Sequence, residues 1–187
     1  MNRELTDEML MLRYKEGDVD AFDSLFSRHN GGVYRYFLRQ RQTQPHAEEL
    51  AQDVWMRVIQ AAEHYEVAAK FNTWLYRIAH NRLIDHVRSL SVRPEDGYDE
   101  TPEAVELVAI PDFEWPENIN ERRQRVEQLL RAVSDLPPCQ AEVFLLHHES
   151  ELTLEEIGSV MGIGRETVKS RLRYALTKLR AALSDLR

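Results

Sequence analysis

Apolar positions along the chain recur at three- and four-residue steps, and no segment alternates strongly enough to read as a strand. Thr6 is placed to cap a short helix carrying Met9, Leu10, Leu12 and Arg13 that stops near Gly17. Asp18 is placed to cap a second, carrying Phe22, Leu25, Phe26, Val33, Tyr34 and Phe37; the pair Gly31-Gly32 falls inside it and suggests a bend. Pro45 precedes a third helix from His46 to about Ala62, with Leu50, Val54, Val58 and Ile59 on one face. A fourth runs from about Phe71 to Arg88, with Phe71, Leu75, Ile78, Leu83 and Val87 inward. Thr153 and Glu156 then form a capping-box pattern, followed by Leu154, Ile157 and Met161 at helical spacing and by Gly162, which suits a left-handed helix end. A last helix starts near Arg165. Its inner face is Val168, Leu172, Ala175, Leu176, Leu179 and Leu183, and its outer face carries Glu166, Lys169, Ser170 and Arg173. The prediction is an all-α protein.

Between these halves the pattern lapses. Residues 90–118 hold Pro94, Gly97, Pro102, Pro111 and Pro116 without a sustained helical period, although a short turn near Ala104–Val108 is allowed. A stretch of this length does not suit a loop inside one compact domain. The expected organisation is two small helical domains, 1–93 and 121–187, joined by an extended acidic linker at 94–120.

Charge sharpens that division. The net charge of −8 argues against a nucleic-acid partner until its distribution is considered. Residues 94–121 carry ten acidic groups and no Lys or Arg, whereas residues 165–187 carry seven basic groups against two acidic, and residues 70–93 five against one. Local charge decides where a polyanion docks. Residues 153–173 therefore read as a helix-turn-helix with a basic outer face, suited to bases and phosphates in a groove. On the fourth helix Lys70, Trp74, Arg77, Asn81, Arg82 and Arg88 combine cations, a flat ring and an amide, the chemistry of single-strand binding. The loop from His64 to Lys70 is the candidate wall of a base pocket. Trp74 suits packing and stacking equally. The polar face of the third helix, Glu49, Gln52, Asp53 and Arg57, reads by itself as a solvated surface with an Asp53–Arg57 pair.

Other classes lose ground. No phosphate-binding glycine loop, metal-ligand spacing or nucleophile–base arrangement is visible, so no enzyme, metal or cofactor is expected. His147 and His148 are adjacent, hence about 100° apart on a helix, and do not form a metal pair. The single cysteine, Cys139, allows no internal disulfide. No segment has the length of a membrane span, and residues 1–10 have no signal-peptide pattern, which together point to the cytoplasm.

Three segments in order resemble the extracytoplasmic-function (ECF) group of bacterial sigma factors. HAEELAQDVWMRV (46–58) is similar to their region 2.2, FNTWLYRIAHNRLIDHVR (71–88) to regions 2.3 and 2.4, and LPPCQAEVFLLHHESELTLEEIGSVMGIGRETVKSRLRYALTKLR (136–180) to region 4. The resemblance implies a non-catalytic initiation factor that binds core RNA polymerase and promoter DNA, often held by an anti-sigma factor. It implies docking on the polymerase clamp through Glu49, Gln52, Asp53 and Arg57. It implies reading of the −10 element by Asn81, flanked by Lys70, Phe71, Trp74, Arg77 and Arg82. The −35 element then falls to Arg165, Lys169, Ser170, Arg171, Arg173 and Tyr174. The loop HYEVAAK lacks the glycine many members carry there, so −10 base preference does not transfer, and Tyr174 stands where a basic residue is frequent. A stand-alone repressor or activator would account for the C-terminal half only, and an all-helical adaptor would leave both basic patches unexplained.

Overall fold

Three helix starts in this chain, at Asp7, Val19 and Leu154, rest on a local side chain that satisfies backbone N–H groups with no partner within the helix. The computed structural model describes residues 5–40, 42–92 and 119–184, and these are helices and their connections. The order is α1 (Asp7–Lys15), α2 (Val19–Arg39), α3 (Gln44–Ala61), a 3-10 turn at Ala62–His64, α4 (Phe71–Val92), α5 (Ile119–Ser134), α6 (Pro138–His148), α7 (Leu154–Met161) and α8 (Arg165–Ser184). Thr6 Oγ1 accepts from the Met9 N–H at 3.3 Å, and Asp18 Oδ1 from the Ala21 N–H at 3.3 Å. The box at α7 closes both ways: Glu156 N–H donates to Thr153 Oγ1 at 3.3 Å, and Thr153 N–H to Glu156 Oε2 at 2.8 Å. Gly162 ends α7 at φ 66°. Residues 94–118, with most of the expected linker and the turn near Ala104–Val108, lie outside the described residues.

Helices α1 to α4 pack around Met11, Leu25, Val33, Phe37, Leu50, Val54, Val58, Phe71 and Leu75, all essentially buried. Trp55 joins them. It meets Phe22 edge-on at 5.8 Å and Phe26 at 5.0 Å, and its Nε1–H donates to Asn30 Oδ1 at 3.1 Å, the partner a buried indole needs. Two inward assignments fail. Ile59 and Val87 are exposed, with Leu90 beyond Val87 exposed as well, so the apolar stripes of α3 and α4 outrun the neighbours that could cover them. The expected Asp53–Arg57 pair is replaced by contacts across to α4: Asp53 binds Arg82, and Arg57 lies 3.7 Å from Asp85.

The glycine pair in α2 marks a crossing. The helix is continuous from Val19 to Arg39, and a Cβ built on Gly32 would come within 3.0 Å of the Tyr76 hydroxyl of α4. A Cβ on Gly31 would meet only the tip of the Arg35 side chain, at 3.2 Å. Helix propensity favours Ala by about 1 kcal/mol at either site. Gly31→Ala is therefore expected to raise stability by roughly 0.5–1 kcal/mol in urea unfolding, and Gly32→Ala to lose that gain by displacing Tyr76. Equal stabilisation by both would show that the crossing has room to spare.

Helices α5, α6 and α8 enclose a second cluster of Val133, Leu136, Ala141, Leu145, Ala175 and Leu179. Helix α7 meets α8 at a tight turn. A Cβ on Gly158 would lie 2.8 Å from the Ile163 carbonyl, too close for any other residue without moving backbone. The two halves also touch. Val143, Leu146, Leu152, Ile157 and Val160 of the C-terminal half are continuous with the apolar core of the N-terminal half.

Candidate functional site

Four surfaces carry the residues singled out by sequence. On α3, Glu49, Gln52 and Arg57 are exposed, and Asp53 is half-exposed while bound to Arg82. The same side carries Met56, 53 % exposed, and Ile59. Sequence reasoning passed over Met56, although its place four residues after Gln52 puts it on that face.

On the loop and start of α4, α1 supplies the supports. Glu8 Oε1 accepts from the Phe71 N–H at 2.8 Å and so caps α4 from another helix. Lys15 Nζ donates to the Tyr65 carbonyl at 3.0 Å. Tyr65 is buried, and that burial, with the charges of Glu8 and Asp7, pushes its phenol up to about 12. Residues 66–70, between these anchors, are exposed.

Phe71 does not lie on this surface. It is 0 % exposed, packed against His29 at 5.3 Å and Trp74 at 5.8 Å. That burial agrees with the inward place helical spacing gives Phe71, so beside Asn81 its ring supports the start of α4 by packing. Trp74 is half-buried, with one flank on Tyr65 at 5.1 Å, so it packs and still presents an edge.

Further along α4, Asn81 is exposed at a cleft of about 550 Å³ that also includes Arg57, His80, Ile84, Asp85 and Arg88. This cleft joins the sides of α3 and α4 that were assigned separately. Arg82 faces Asp53 and is only part-exposed. Near the cleft, His86 stacks edge-on with His46 at 5.2 Å; burial, then the charge of His46, lowers its pKa. Arg77 and Lys70 point elsewhere. Arg77 Nη2 donates to Ser159 Oγ at 2.5 Å and to the Ser159 carbonyl at 3.2 Å, and Lys70 Nζ lies 3.0 Å from Glu156 Oε1.

On α8, Lys169, Arg173 and Tyr174 are exposed, and Ser170 and Arg171 part-exposed. The Arg173 guanidinium lies 5.2 Å from the Tyr174 ring centroid, so the aromatic residue in this basic row holds a cation beside it. Arg165 is tied to Glu155 and Glu166. The four surfaces offer cations, amides and rings on rigid helices. Among the described residues no group of three or more His, Cys, Asp or Glu could hold a metal.

Residues 25–93 match the family model for Sigma-70 region 2, and residues 132–181 that for Sigma-70, region 4. The ECF RNA polymerase sigma factor RpoE of Cereibacter sphaeroides is 32% identical over 169 residues, covering 89% of this chain and 88% of its own. The chain belongs to the ECF sigma factors. The RNA polymerase sigma factor CarQ of Myxococcus xanthus is a further relative, 31% identical over 176 residues, with 94% and 97% covered. Two solved structures share the fold of this sigma factor: CnrH in complex with the cytosolic domain of CnrY (TM-score 0.69, 19% identity, 96% of this chain and 97% of that one) and RpoE in complex with the anti-sigma factor NepR from Bartonella quintana (TM-score 0.70, 20% identity, 89% and 98%). A promoter-directing RNA polymerase sigma factor accounts for both matched regions. A stand-alone helix-turn-helix regulator leaves the match over 25–93 without a role.

Proposed function

We propose that this sigma factor divides promoter recognition between its halves, residues 1–93 and 121–187, and leaves all chemistry to the polymerase. The exposed side of α3, with Glu49, Gln52, Asp53, Met56 and Arg57, docks on core RNA polymerase. The start of α4 and the loop before it engage the opened −10 element, with Asn81 reading a base in its cleft and Lys70, Arg77 and Arg82 supplying positive charge. Helix α8 enters the major groove of the −35 element through Lys169, Ser170, Arg171, Arg173 and Tyr174, with Arg165 at its start. The single observation carrying this reading is Asn81, an exposed amide flanked by cations in an open cleft on a rigid helix. Each DNA surface is small, and few phosphate contacts give modest, salt-sensitive affinity. Mounted together on polymerase, the two gain from effective concentration. An anti-sigma factor is a fitting further partner, as for the RpoE solved with NepR, and the cytoplasm is the fitting compartment.

Runoff transcription with purified core polymerase, on fragments from upstream of this protein's own gene, tests the reading. A discrete start that appears only with the protein is expected. Asn81→Ala is expected to cut that transcript roughly tenfold, in line with about 1–3 kcal/mol for a well-made amide–base contact. It should leave binding to core polymerase unchanged. A transcript insensitive to this substitution would remove Asn81 from base reading.

A further inference from the structure

We propose that α1 belongs to the promoter-reading apparatus: Glu8 and Lys15 are positioning residues that tie down the two ends of the 65–71 loop, so −10 base selectivity depends on a helix set behind the reading surface. The inference rests on the reading of that loop and the start of α4 as the −10 site. Helix α1 lies before residue 25, where the match to Sigma-70 region 2 begins.

The loop has little of its own to hold it. Residues 66–70 are all exposed, with Val67 at 54 %. The backbone bond that closes within the loop, from the Ala68 N–H to the Glu66 carbonyl at 2.9 Å, spans two residues and fixes neither end. Both ends are held from α1 instead. Lys15 Nζ donates to the Tyr65 carbonyl at 3.0 Å, and Glu8 Oε1 accepts from the Phe71 N–H at 2.8 Å. Burial first, then the charge of Glu8, raises the pKa of the Tyr65 phenol, so the carboxylate that caps α4 also lies close to the ring at the loop's other end.

Glu8 and Lys15 stand two turns apart on one side of α1, with Cα atoms separated by about 10 Å. The chain from Tyr65 to Phe71 could stretch about 20 Å. Tied to one short helix, it must bow outward, as the exposure of its middle shows. The helix behind it is itself anchored. Leu10 and Met11 are buried, and Asp7 pairs with Arg28 at 2.8 Å and with His29 at 2.7 Å, both on α2. The His29 ring in turn lies 5.3 Å from that of Phe71. Both ties run to backbone groups of the loop, so they set its shape whatever side chains it carries. Hydrogen bonds with a charged partner are the stronger kind. A site discriminates only as sharply as its supporting groups hold it. A loop released at either end still reaches the DNA but offers several shapes to it, and choice among bases suffers before contact does.

Holoenzyme assembled from core polymerase and the full chain tests this on the runoff promoter and on templates carrying each single-base substitution through its −10 element. The quantity read is the ratio of transcript from the parent template to that from each substituted one. A protein that is merely less stable lowers every transcript alike and leaves these ratios unchanged. Glu8→Ala and, separately, Lys15→Met are expected to shrink the largest ratio on the order of tenfold. Glu8→Gln keeps a side-chain carbonyl for the Phe71 N–H and should keep most of the parent's selectivity. Parent ratios in either Glu8→Ala or Lys15→Met overturn the brace, and so does an equal collapse in Glu8→Gln and Glu8→Ala. Should Glu8→Ala fail to fold, Lys15→Met decides alone, because that side chain is exposed. Val67→Lys, within the loop, separates the brace from the reading beneath it. Ratios flattened by Val67→Lys but kept by an α1 variant overturn the brace alone. Ratios that Val67→Lys leaves intact take −10 selection away from the loop, and the brace falls with it.

Discussion

Met56→Glu is expected to weaken binding to core RNA polymerase by about 30-fold or more and to abolish most promoter-specific transcription. Met56 is 53 % exposed on α3, among the polar groups Glu49, Gln52 and Arg57. Interfaces commonly place an apolar anchor inside a polar rim, and such anchors cost about 2 kcal/mol or more when lost. Glu adds a second penalty, because a charge held against a dry partner surface loses its water. The substitution leaves the fold alone, since exposed positions away from caps and pairs usually shift stability by less than about 0.5 kcal/mol. Glu49→Arg, at the charged rim, should act mainly on association rate and salt dependence. The checks are a pull-down titration with core polymerase and a thermal melt, with Met9→Glu on the exposed side of α1 as a control that keeps full activity. Wild-type polymerase affinity in Met56→Glu would move the docking surface off this face of α3.

Phe71→Ala is expected to destabilise the protein by about 3–5 kcal/mol, the range for removing a buried aromatic ring. That is a large share of the about 5–15 kcal/mol typical of a whole domain. The ring is wholly enclosed, and the residue's N–H is the one that Glu8 caps, so the cavity would open beneath the start of α4. Loss of transcription would follow from loss of that helix's position. Phe71→Leu separates the two roles. It keeps most of the apolar volume, should cost less than about 1.5 kcal/mol, and should retain promoter recognition. Urea unfolding of both variants, with runoff transcription of Phe71→Leu, decides the matter: a stable Phe71→Leu protein that cannot open promoters would return the ring to the DNA.

The parts of this fold legible in the sequence are those set within one turn of chain. Thr6, Asp18 and the Thr153–Glu156 box cap helices where the residues stand, and Gly162 ends one, because those bonds need nothing distant. Helical spacing likewise gave Leu25, Leu50, Val54, Leu75, Val168 and Leu179 as core. Spacing alone cannot say where a covering neighbour ends, and Ile59 and Val87 failed for that reason. Gly32 read as a bend because the cause of its small size, Tyr76, lies in another helix. Phe71 was legible as an inward residue from helical spacing, and it is buried, although the family resemblance sets it beside Asn81 at the −10 element. The surfaces bearing Asn81, Lys169 and Arg173 were legible from residue chemistry and resemblance. The burial of Glu142 was not: a lone glutamate within PCQAEVFLLHH carries no mark of the tyrosine and histidine that meet it from residues 36 and 80.

The ion pair between Asp53 and Arg82 has a genetic consequence. One partner sits on the helix assigned to polymerase, the other on the helix assigned to the promoter, so the two phenotypes share an allele pair. A charge-reversing allele at position 53 frees Arg82, and a screen for lost polymerase binding would collect promoter defects with it. Arg82→Asp added to Asp53→Arg should restore the pair and the melting temperature without restoring polymerase binding or promoter recognition. Selection acting on either trait would then constrain both positions as one unit of inheritance.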